Sequence, residues 1–285
     1  PGIGIEMTTD SLRKSQSEKA AQFRALHQGT DPFIIANPFD AGSARILAGL
    51  GFKALATSSG GFAGTLGRRD GRIERDESLA HARAVVDAVD LPISADLENG
   101  FGHEACFPAK TVLLAAETGL VGCSIEDATG DLANPLYTFD DAVTRIAAAA
   151  DAAKSLGFDF TLTARTECFL RGKPDLADVI KRLKAFEAAG ADVLMAPGLP
   201  DLDAVKAVCA AVSGPVNFMA GIPGKSFPLA DLTAAGVRRV SLATSLYRAA
   251  MSGLINAASE ARDSGTFDFV DTSIPTPELA GYMNA

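Results

Sequence analysis

The chain is poor in the residues that carry soft-metal and nucleophilic chemistry, with four cysteines and three histidines in 285 residues. Cys106, Cys123, Cys168 and Cys209 fall in no CxxC or CxxxC spacing, and a chain this long needs no disulfide staples. They read as reduced thiols of a cytoplasmic protein. His27, His81 and His103 lie far apart and form no zinc pattern. Basic charge is also scarce: 26 Lys and Arg against 35 Asp and Glu leave a formal charge of −9. A phosphate backbone would be repelled on average, which argues against nucleic acid as a partner. No apolar run approaches the ~20 residues that span a bilayer, which argues against a membrane protein. No basic-then-apolar leader opens the sequence. Met7 is read as the native start, with residues 1–6 a vector-derived remnant.

Hydrophobic residues make up 47% and charged residues 21%, ordinary for a chain with a sizeable core. Length alone allows either two small domains or one α/β barrel. The pattern decides between them. A short β-rich run, a Gly or polar loop and an Ala-rich helical stretch recur eight times. Strands are expected at 33–36, 53–57, 92–97, 121–125, 160–164, 192–195, 216–219 and 238–242. Helices are expected at 43–50, 77–89, 104–118, 139–156, 175–189, 202–212, 229–235 and 245–262, with Gly51, Gly119, Gly157 and Gly190 as stops. The strands are short, apolar and without clean alternation, as when both faces are buried. Alternating β and α implies parallel strands, and eight units imply a closed (β/α)8 TIM-type barrel. No G-x-G-x-x-G follows the first strand, which weakens the alternative of an open doubly wound sheet. The expected organisation is one barrel domain over 7–262, with an extra N-terminal helix at 10–28 covering the barrel bottom. A tail over 263–285, carrying Pro275 and Pro277, is expected to be irregular or docked on the barrel or a neighbouring subunit.

Catalysis in such a barrel belongs at the C-terminal strand ends. Strand two ends in Thr57-Ser58-Ser59-Gly60-Gly61, strand three in Asp96-Leu97-Glu98-Asn99, strand four in Glu126-Asp127 and strand five in Arg165-Thr166-Glu167. Asn217 opens the polar loop of strand seven. Crowded carboxylates repel in a low-dielectric cleft and need a neutralising partner. An all-oxygen set favours Mg²⁺, with Mn²⁺ as substitute, over zinc. The plainer reading is a set of solvated loop carboxylates, each paired with a Lys or Arg. Ser58 to Gly61 could present backbone N–H groups to an anion, or be a turn that only needs small residues. Arg165 could clamp a carboxylate, or form a salt bridge to Glu126 or Glu167. Cys123 reads as core, Cys168 as an inert thiol and His103 as a helix-start residue.

Taken as an ordered set, Asn37-Pro38-Phe39-Asp40-Ala41-Gly42-Ser43-Ala44, Ala56-Thr57-Ser58-Ser59-Gly60-Gly61, Leu66-Gly67-Arg68-Arg69-Asp70-Gly71, Ala95-Asp96-Leu97-Glu98-Asn99-Gly100-Phe101-Gly102, Ser124-Ile125-Glu126-Asp127 and Thr163-Ala164-Arg165-Thr166-Glu167 resemble the isocitrate lyase/phosphoenolpyruvate mutase superfamily. The resemblance covers residues 15 to 260. It implies a barrel whose last helix is exchanged between subunits of a homodimer or homotetramer. It implies Mg²⁺ held by Asp96, Glu98 and Glu126, directly or through water, with Asp70 in the same network. The substrate it implies is a small 2-oxo or 2-hydroxy acid or a phosphonate analogue, its carboxylate on Ser59-Gly60-Gly61 and in contact with Arg165. The shared chemistry is stabilisation of a pyruvate-like enolate.

The sequence also departs from the resemblance. The lyases carry a Lys-Lys/Arg-Cys-Gly-His motif after strand four, and the phosphonopyruvate enzymes carry Lys-Thr-Asn-Ser-Leu. Here the loop is Ala128-Thr129-Gly130-Asp131-Leu132-Ala133-Asn134-Pro135-Leu136-Tyr137. Asn134 keeps the equivalent distance from Glu126, but Leu132 and Pro135 take the Lys and Ser positions. Ala196-Pro197-Gly198 stands where the mutases have a histidine. The leading expectation is therefore carbon–carbon cleavage or decarboxylation of a small oxo- or hydroxy-(di)carboxylate, which needs a metal but no dedicated Cys acid. Phosphorus–carbon chemistry is the alternative, with a cation such as Arg68, Arg69 or Lys225 reaching the site. A third possibility is an α-keto acid-binding barrel without turnover.

Overall fold

The computed structural model describes residues 13–283; the proposed Met7 start and the residues before it lie outside that range. Eight parallel strands form the barrel: β1 (Phe33–Ile35), β2 (Leu55–Ala56), β3 (Ile93–Asp96), β4 (Gly122–Glu126), β5 (Thr161–Arg165), β6 (Val193–Met195), β7 (Val216–Met219) and β8 (Arg239–Ser241). The hydrogen-bonded order runs β1-β8-β7-β6-β5-β4-β3-β2. A parallel bridge between Ala36 and Leu55, with the Ala56 N–H donating to the Ala36 carbonyl at 3.0 Å, joins β2 back to β1. The main apolar core lies between the strands and the outer helices, where Ile125, Leu162, Leu194 and Val240 pack outward. Helix α1 (Gln16–Gln28) starts at a Ser15–Glu18 capping box and seals the N-terminal end. Its Phe23 and Ala20 pack with Ile35, Ala54 and Val121. Gly122 permits this approach, because a Cβ there would stand 3.1 Å from Phe23 Cε1 and 2.6 Å from the Thr161 carbonyl oxygen.

The barrel interior differs from the expected apolar run. In β5 the residues Thr161, Thr163 and Arg165 alternate with Leu162 and Ala164, and in β8 Arg239 and Ser241 flank Val240. With Ser94, Ser124 and Asn217 these side chains put hydroxyl, amide and guanidinium groups where barrels of this kind hold mostly branched aliphatic residues. The alternation is present, but its inward half is polar.

Two other elements depart from expectation. Residues 58–61 open a helix, α3 (Ser59–Thr65), capped by the Ser58 hydroxyl, which accepts from the Gly61 N–H at 3.3 Å. A Ser-Gly-Gly sequence has poor intrinsic helix propensity, and tertiary packing overrides it. The Tyr247 ring lies so close over Gly64 that a Cβ would meet it at 2.5 Å, and Phe62 stacks on His81 at 4.0 Å. The tail is helical rather than irregular, forming α11 (Phe269–Thr272) and α12 (Thr276–Met283). Pro277 falls in the first turn of α12, where its missing N–H would have no partner anyway. Tyr282 covers Gly49 of α2 (Ala41–Gly49), and Arg45 Nη1 donates to the Met283 carbonyl at 2.6 Å.

Candidate active site

At the C-terminal end of the barrel, a cavity of about 50 Å³ is lined by Asn37, Thr57, Ser58, Asp96, Arg165, Asn217 and Arg239, among others. Larger depressions, such as one of about 550 Å³ beside Lys206 and Arg238, lie away from the strand-end carboxylates and bring no such cluster together. Of the expected site residues, Ser58, Asp96, Arg165 and Asn217 line this cavity, while Ser59, Gly60, Gly61, Asp70, Glu98 and Glu126 do not, Ser59 and Glu126 adjoining it through contacts to Asp96 and Arg165. Asp96 ends β3. Its Oδ2 accepts from the Ser59 backbone N–H at 3.2 Å and the Ser59 hydroxyl at 2.9 Å, and its Oδ1 accepts from the Glu98 N–H at 3.3 Å. The Ser59 hydroxyl also lies 3.1 Å from Asp70 Oδ1. Asp70, distant in sequence, thus joins the Asp96 network through one serine. Gly60 makes this possible: a Cβ there would stand 2.9 Å from the Thr244 methyl and 3.1 Å from Asp70 Cγ. Of the expected anion-binding run, Ser58 Oγ and the Ser59 and Gly61 amides bond within the protein, while the Gly60 amide has no hydrogen bond among the described residues.

Arg165 forms the salt bridges that one reading of its role gave it. Its Nε donates to Glu167 Oε1 at 2.6 Å and stands 3.4 Å from Glu126 Oε2. Its Nη atoms make no hydrogen bond to the described residues, and the residue lines the cavity. Arg171 adds contacts to Glu167 at 3.3 Å and Glu126 at 3.6 Å. Glu167 and Arg171 were not singled out from sequence as site residues, although Glu167 was visible two positions after Arg165. Asp127 leaves the cluster: it accepts from Thr166 Oγ1 at 2.7 Å and the Glu167 N–H at 2.8 Å, and pairs with Arg182 at 3.1 Å. Its work is to fix the ends of β4 and β5.

The other sequence candidates fall elsewhere. Asn134 is exposed on its loop, donates to Asp131 Oδ2 at 3.2 Å, and does not line the cavity. Asn217 is buried and lines it, donating to Ser241 Oγ at 3.0 Å and accepting from Arg239 Nε at 2.7 Å. His103 shares a 2.9 Å hydrogen bond with the Tyr137 hydroxyl. Cys123 is core, and Cys168, pushed up to about 11 chiefly by burial, is no thiolate nucleophile at neutral pH. Arg145 clamps the loop after β3 through the Asn99, Gly102, His103 and Glu104 carbonyls.

The charge balance tests the expected metal. Asp70, Asp96, Glu98, Glu126 and Glu167 stand together with Arg165 and Arg171, so acid exceeds base. Glu98 Oε1 is buried without a hydrogen-bond partner, in a residue held at φ 48°. Burial, then Asp96 and Asp70, push the Glu98 carboxyl up to about 8 against Arg171 and Arg165. Glu126 is also pushed well above its ordinary value, chiefly by burial. An excess of carboxylate oxygens around an orphaned one fits a hard divalent cation. No three His, Cys, Asp or Glu side chains among the described residues are arranged to enclose a metal ion by themselves. An ion here would take one or two carboxylates and complete its shell with water, as Mg²⁺ commonly does.

These shifts have a measurable consequence. A carboxyl raised in the folded state binds more protons folded than unfolded. Metal-free stability therefore falls as pH rises between the ordinary value of 4.5 and about 8. A cation that neutralises the cluster should recover that loss. The rise in Tm caused by Mg²⁺ is expected to be larger at pH 8 than at pH 6. Thermal melts with Mg²⁺ and with EDTA across that range check it, and an equal or reversed dependence would count against the cluster.

Comparison with known proteins fits this geometry. Residues 23–262 match the phosphoenolpyruvate phosphomutase family. The chain is 31% identical over 202 residues to 2-methylisocitrate lyase of Escherichia coli K12, covering 68% of this chain and 67% of the relative. It is 28% identical over 257 residues to oxaloacetate decarboxylase of Chromohalobacter salexigens, covering 87% of each. A solved structure from Burkholderia cenocepacia J2315, provisionally named a lyase/mutase, is 50% identical with a TM-score of 0.93, over 95% of this chain and 97% of that one.

Proposed function

The chain belongs to the phosphoenolpyruvate phosphomutase family, within the isocitrate lyase/phosphoenolpyruvate mutase superfamily, and from that membership we propose that it is a Mg²⁺-dependent carbon–carbon lyase or decarboxylase. Its substrate is a small 2-oxo or 2-hydroxy (di)carboxylate, cleaved through a pyruvate-like enolate. The observation that carries this reading is the buried, unpartnered Glu98 Oε1 beside Asp96, in a cluster bounded by Arg165. Asp96, Glu98 and Glu126 would hold the ion. Bound there, Mg²⁺ supplies Lewis-acid stabilisation of negative charge on the substrate oxygen. Arg165 orients a substrate carboxylate through its Nη edge, with Glu167 and Glu126 fixing its Nε side. Ser59 ties Asp96 to Asp70 and holds the carboxylates in register. Loop 128–137 brings no Cys, His or Lys, which suits decarboxylation of a 2-oxo acid: the C–C electron pair passes to the enolate as CO₂ leaves, no hydroxyl proton has to be removed, and water returns the proton that completes the product.

The phosphorus–carbon alternative named three candidate cations, Arg68, Arg69 and Lys225. Arg68 is paired with Glu77 at 2.8 Å, Lys225 Nζ donates to the Gly198 carbonyl at 3.3 Å, and neither they nor Arg69 line the cavity. Exchange of a C-terminal helix in a homodimer or homotetramer belongs to the same proposal. It is supported by α10 (Ser245–Asp263), which has no buried residue and exposes Leu254 and Ile255 by about 60%. The test is Mg²⁺-dependent pyruvate release from a panel of oxaloacetate, alkylmalates, methylisocitrate and phosphonopyruvate. Turnover of a carbon–carbon substrate that stops with EDTA is expected. Turnover of phosphonopyruvate alone would shift the assignment, and binding without turnover would leave an α-keto acid-binding barrel.

A further inference from the structure

The barrel interior contains a guanidinium with no acid to meet it. Arg239 is buried, and its hydrogen bonds all go to neutral groups: Nε to Asn217 Oδ1 at 2.7 Å, Nη2 to Thr163 Oγ1 at 2.9 Å and Nη1 to His27 Nε2 at 3.2 Å. His27 offers no negative charge. Its Nδ1 faces the Phe23 carbonyl at 2.8 Å, so Nε2 is the ring's acceptor, and burial with Arg239 nearby pushes it down to about 3. Arg165 is answered by Glu167 and Glu126, and Arg182 by Asp127 and Asp178, while the buried Arg145, which also has no acid, spends its guanidinium on four backbone carbonyls and the Tyr137 ring outside the cavity. Arg239 has no such partner among the described residues, and a buried unpaired charge is costly. Three of its five N–H donors are engaged. It lines the mouth cavity with Arg165 and Asp96, and β5 to β8 put Arg165, Met195, Asn217 and Arg239 in paired register.

We infer that Arg239 is a second anion-selecting residue of this site, a positive charge in the cavity floor whose counter-charge is the bound carboxylate ligand. The inference rests on the reading that the cavity takes a small carboxylate. Its chemistry is selection by charge. A ligand entering past Asp70, Asp96, Glu98 and Glu126 meets negative potential, and Arg239 offsets it from below. Dianions gain more from this than monoanions.

The test is calorimetric binding of oxalate, a dianion, and pyruvate, a monoanion, in saturating Mg²⁺. The proteins are wild type, Arg239→Gln, Arg239→Lys and Asn217→Asp. Arg239→Gln is expected to weaken oxalate at least about tenfold and pyruvate less. Arg239→Lys keeps the charge without the three-way fork, and is expected to hold oxalate within about threefold of wild type. Asn217→Asp sets a carboxylate where Asn217 Oδ1 now meets Arg239, neutralising the cation, and a thermal melt of this variant checks that it stays folded. Oxalate should weaken there by about tenfold as well. Wild-type oxalate affinity in a folded Arg239→Gln protein, or in Asn217→Asp, overturns the inference. So does a loss in Arg239→Lys as large as in Arg239→Gln, which would mark a role in hydrogen-bond geometry alone. If Arg239→Gln does not fold, Asn217→Asp decides. Failure of wild type to bind oxalate would instead overturn the carboxylate-site reading, and this inference with it.

Discussion

Replacing Asp96 with alanine is expected to abolish the Mg²⁺ dependence of oxalate binding while leaving the metal-free fold intact. Asp96 is the hub of the acidic cluster. Its two oxygens collect the Ser59 amide and hydroxyl and the Glu98 amide, and Ser59 passes the link on to Asp70. Removing it takes away a carboxylate oxygen and the order of the two groups beside it. The loss should exceed the 10–100-fold effect typical of residues one step removed from a metal. Metal-free stability should not follow the same course. Asp96 raises the Glu98 carboxyl by repulsion, so its removal relieves Glu98. Above pH 7, the metal-free variant is expected to melt no lower than wild type in EDTA, yet to gain nothing from Mg²⁺ with oxalate. A variant that retains the wild-type Mg²⁺-dependent rise in Tm would show that the ion is held elsewhere.

The second large effect concerns Arg165. Arg165→Ala is expected to weaken carboxylate ligands by about 2–5 kcal/mol, the usual cost of stripping a buried charge partner. Unlike the Asp96 variant, it should also lose stability. Glu167 is 1% exposed and Glu126 10% exposed on their side chains, and both lean on the Arg165 guanidinium. Arg171 is 40% exposed and reaches them at 3.3 and 3.6 Å, so it compensates only in part. Removing one partner of a buried pair commonly costs about 3–5 kcal/mol. Calorimetry with oxalate and chemical denaturation separate the two losses. Arg165→Lys keeps a charge but not the planar fork, and should recover more stability than affinity. An unchanged dissociation constant in Arg165→Ala would remove Arg165 from ligand contact.

Much of this is legible in the sequence. Eight βα units, their Gly stops and the polar groups at strands two to five identify the barrel and its working end, because a parallel barrel places all strand C-termini on one face. Asp96 and Glu98 stand near one another, but β3 ends at Asp96 and Glu98 lies beyond it at φ 48°, so strand alternation does not place Glu98. Local rules failed where packing overrode them. Residues 59–65 became a helix because Tyr247 and Thr244, nearly two hundred positions away, close on Gly64 and Gly60. Asp127 and Glu126 are adjacent in sequence, yet one is spent on Arg182 and the other faces Arg165. Alternation along a strand explains that division, though only the neighbouring strands determine which side is inward.

The sequence by itself determined the fold class, the family and the end of the barrel where carboxylates gather. These follow from local periodicity and from short motifs whose residues are adjacent in the chain. Only the tertiary structure decided how the charges balance. It paired Arg165 with Glu167 through Nε and left its Nη atoms without a partner among the described residues, and it left Asn134 outside the cavity. It also set Arg239 in the interior against Asn217, Thr163 and His27 with no acid beside it. The physical reason is that electrostatic energy depends on distance and burial across strands, and neither is encoded in spacing along one of them.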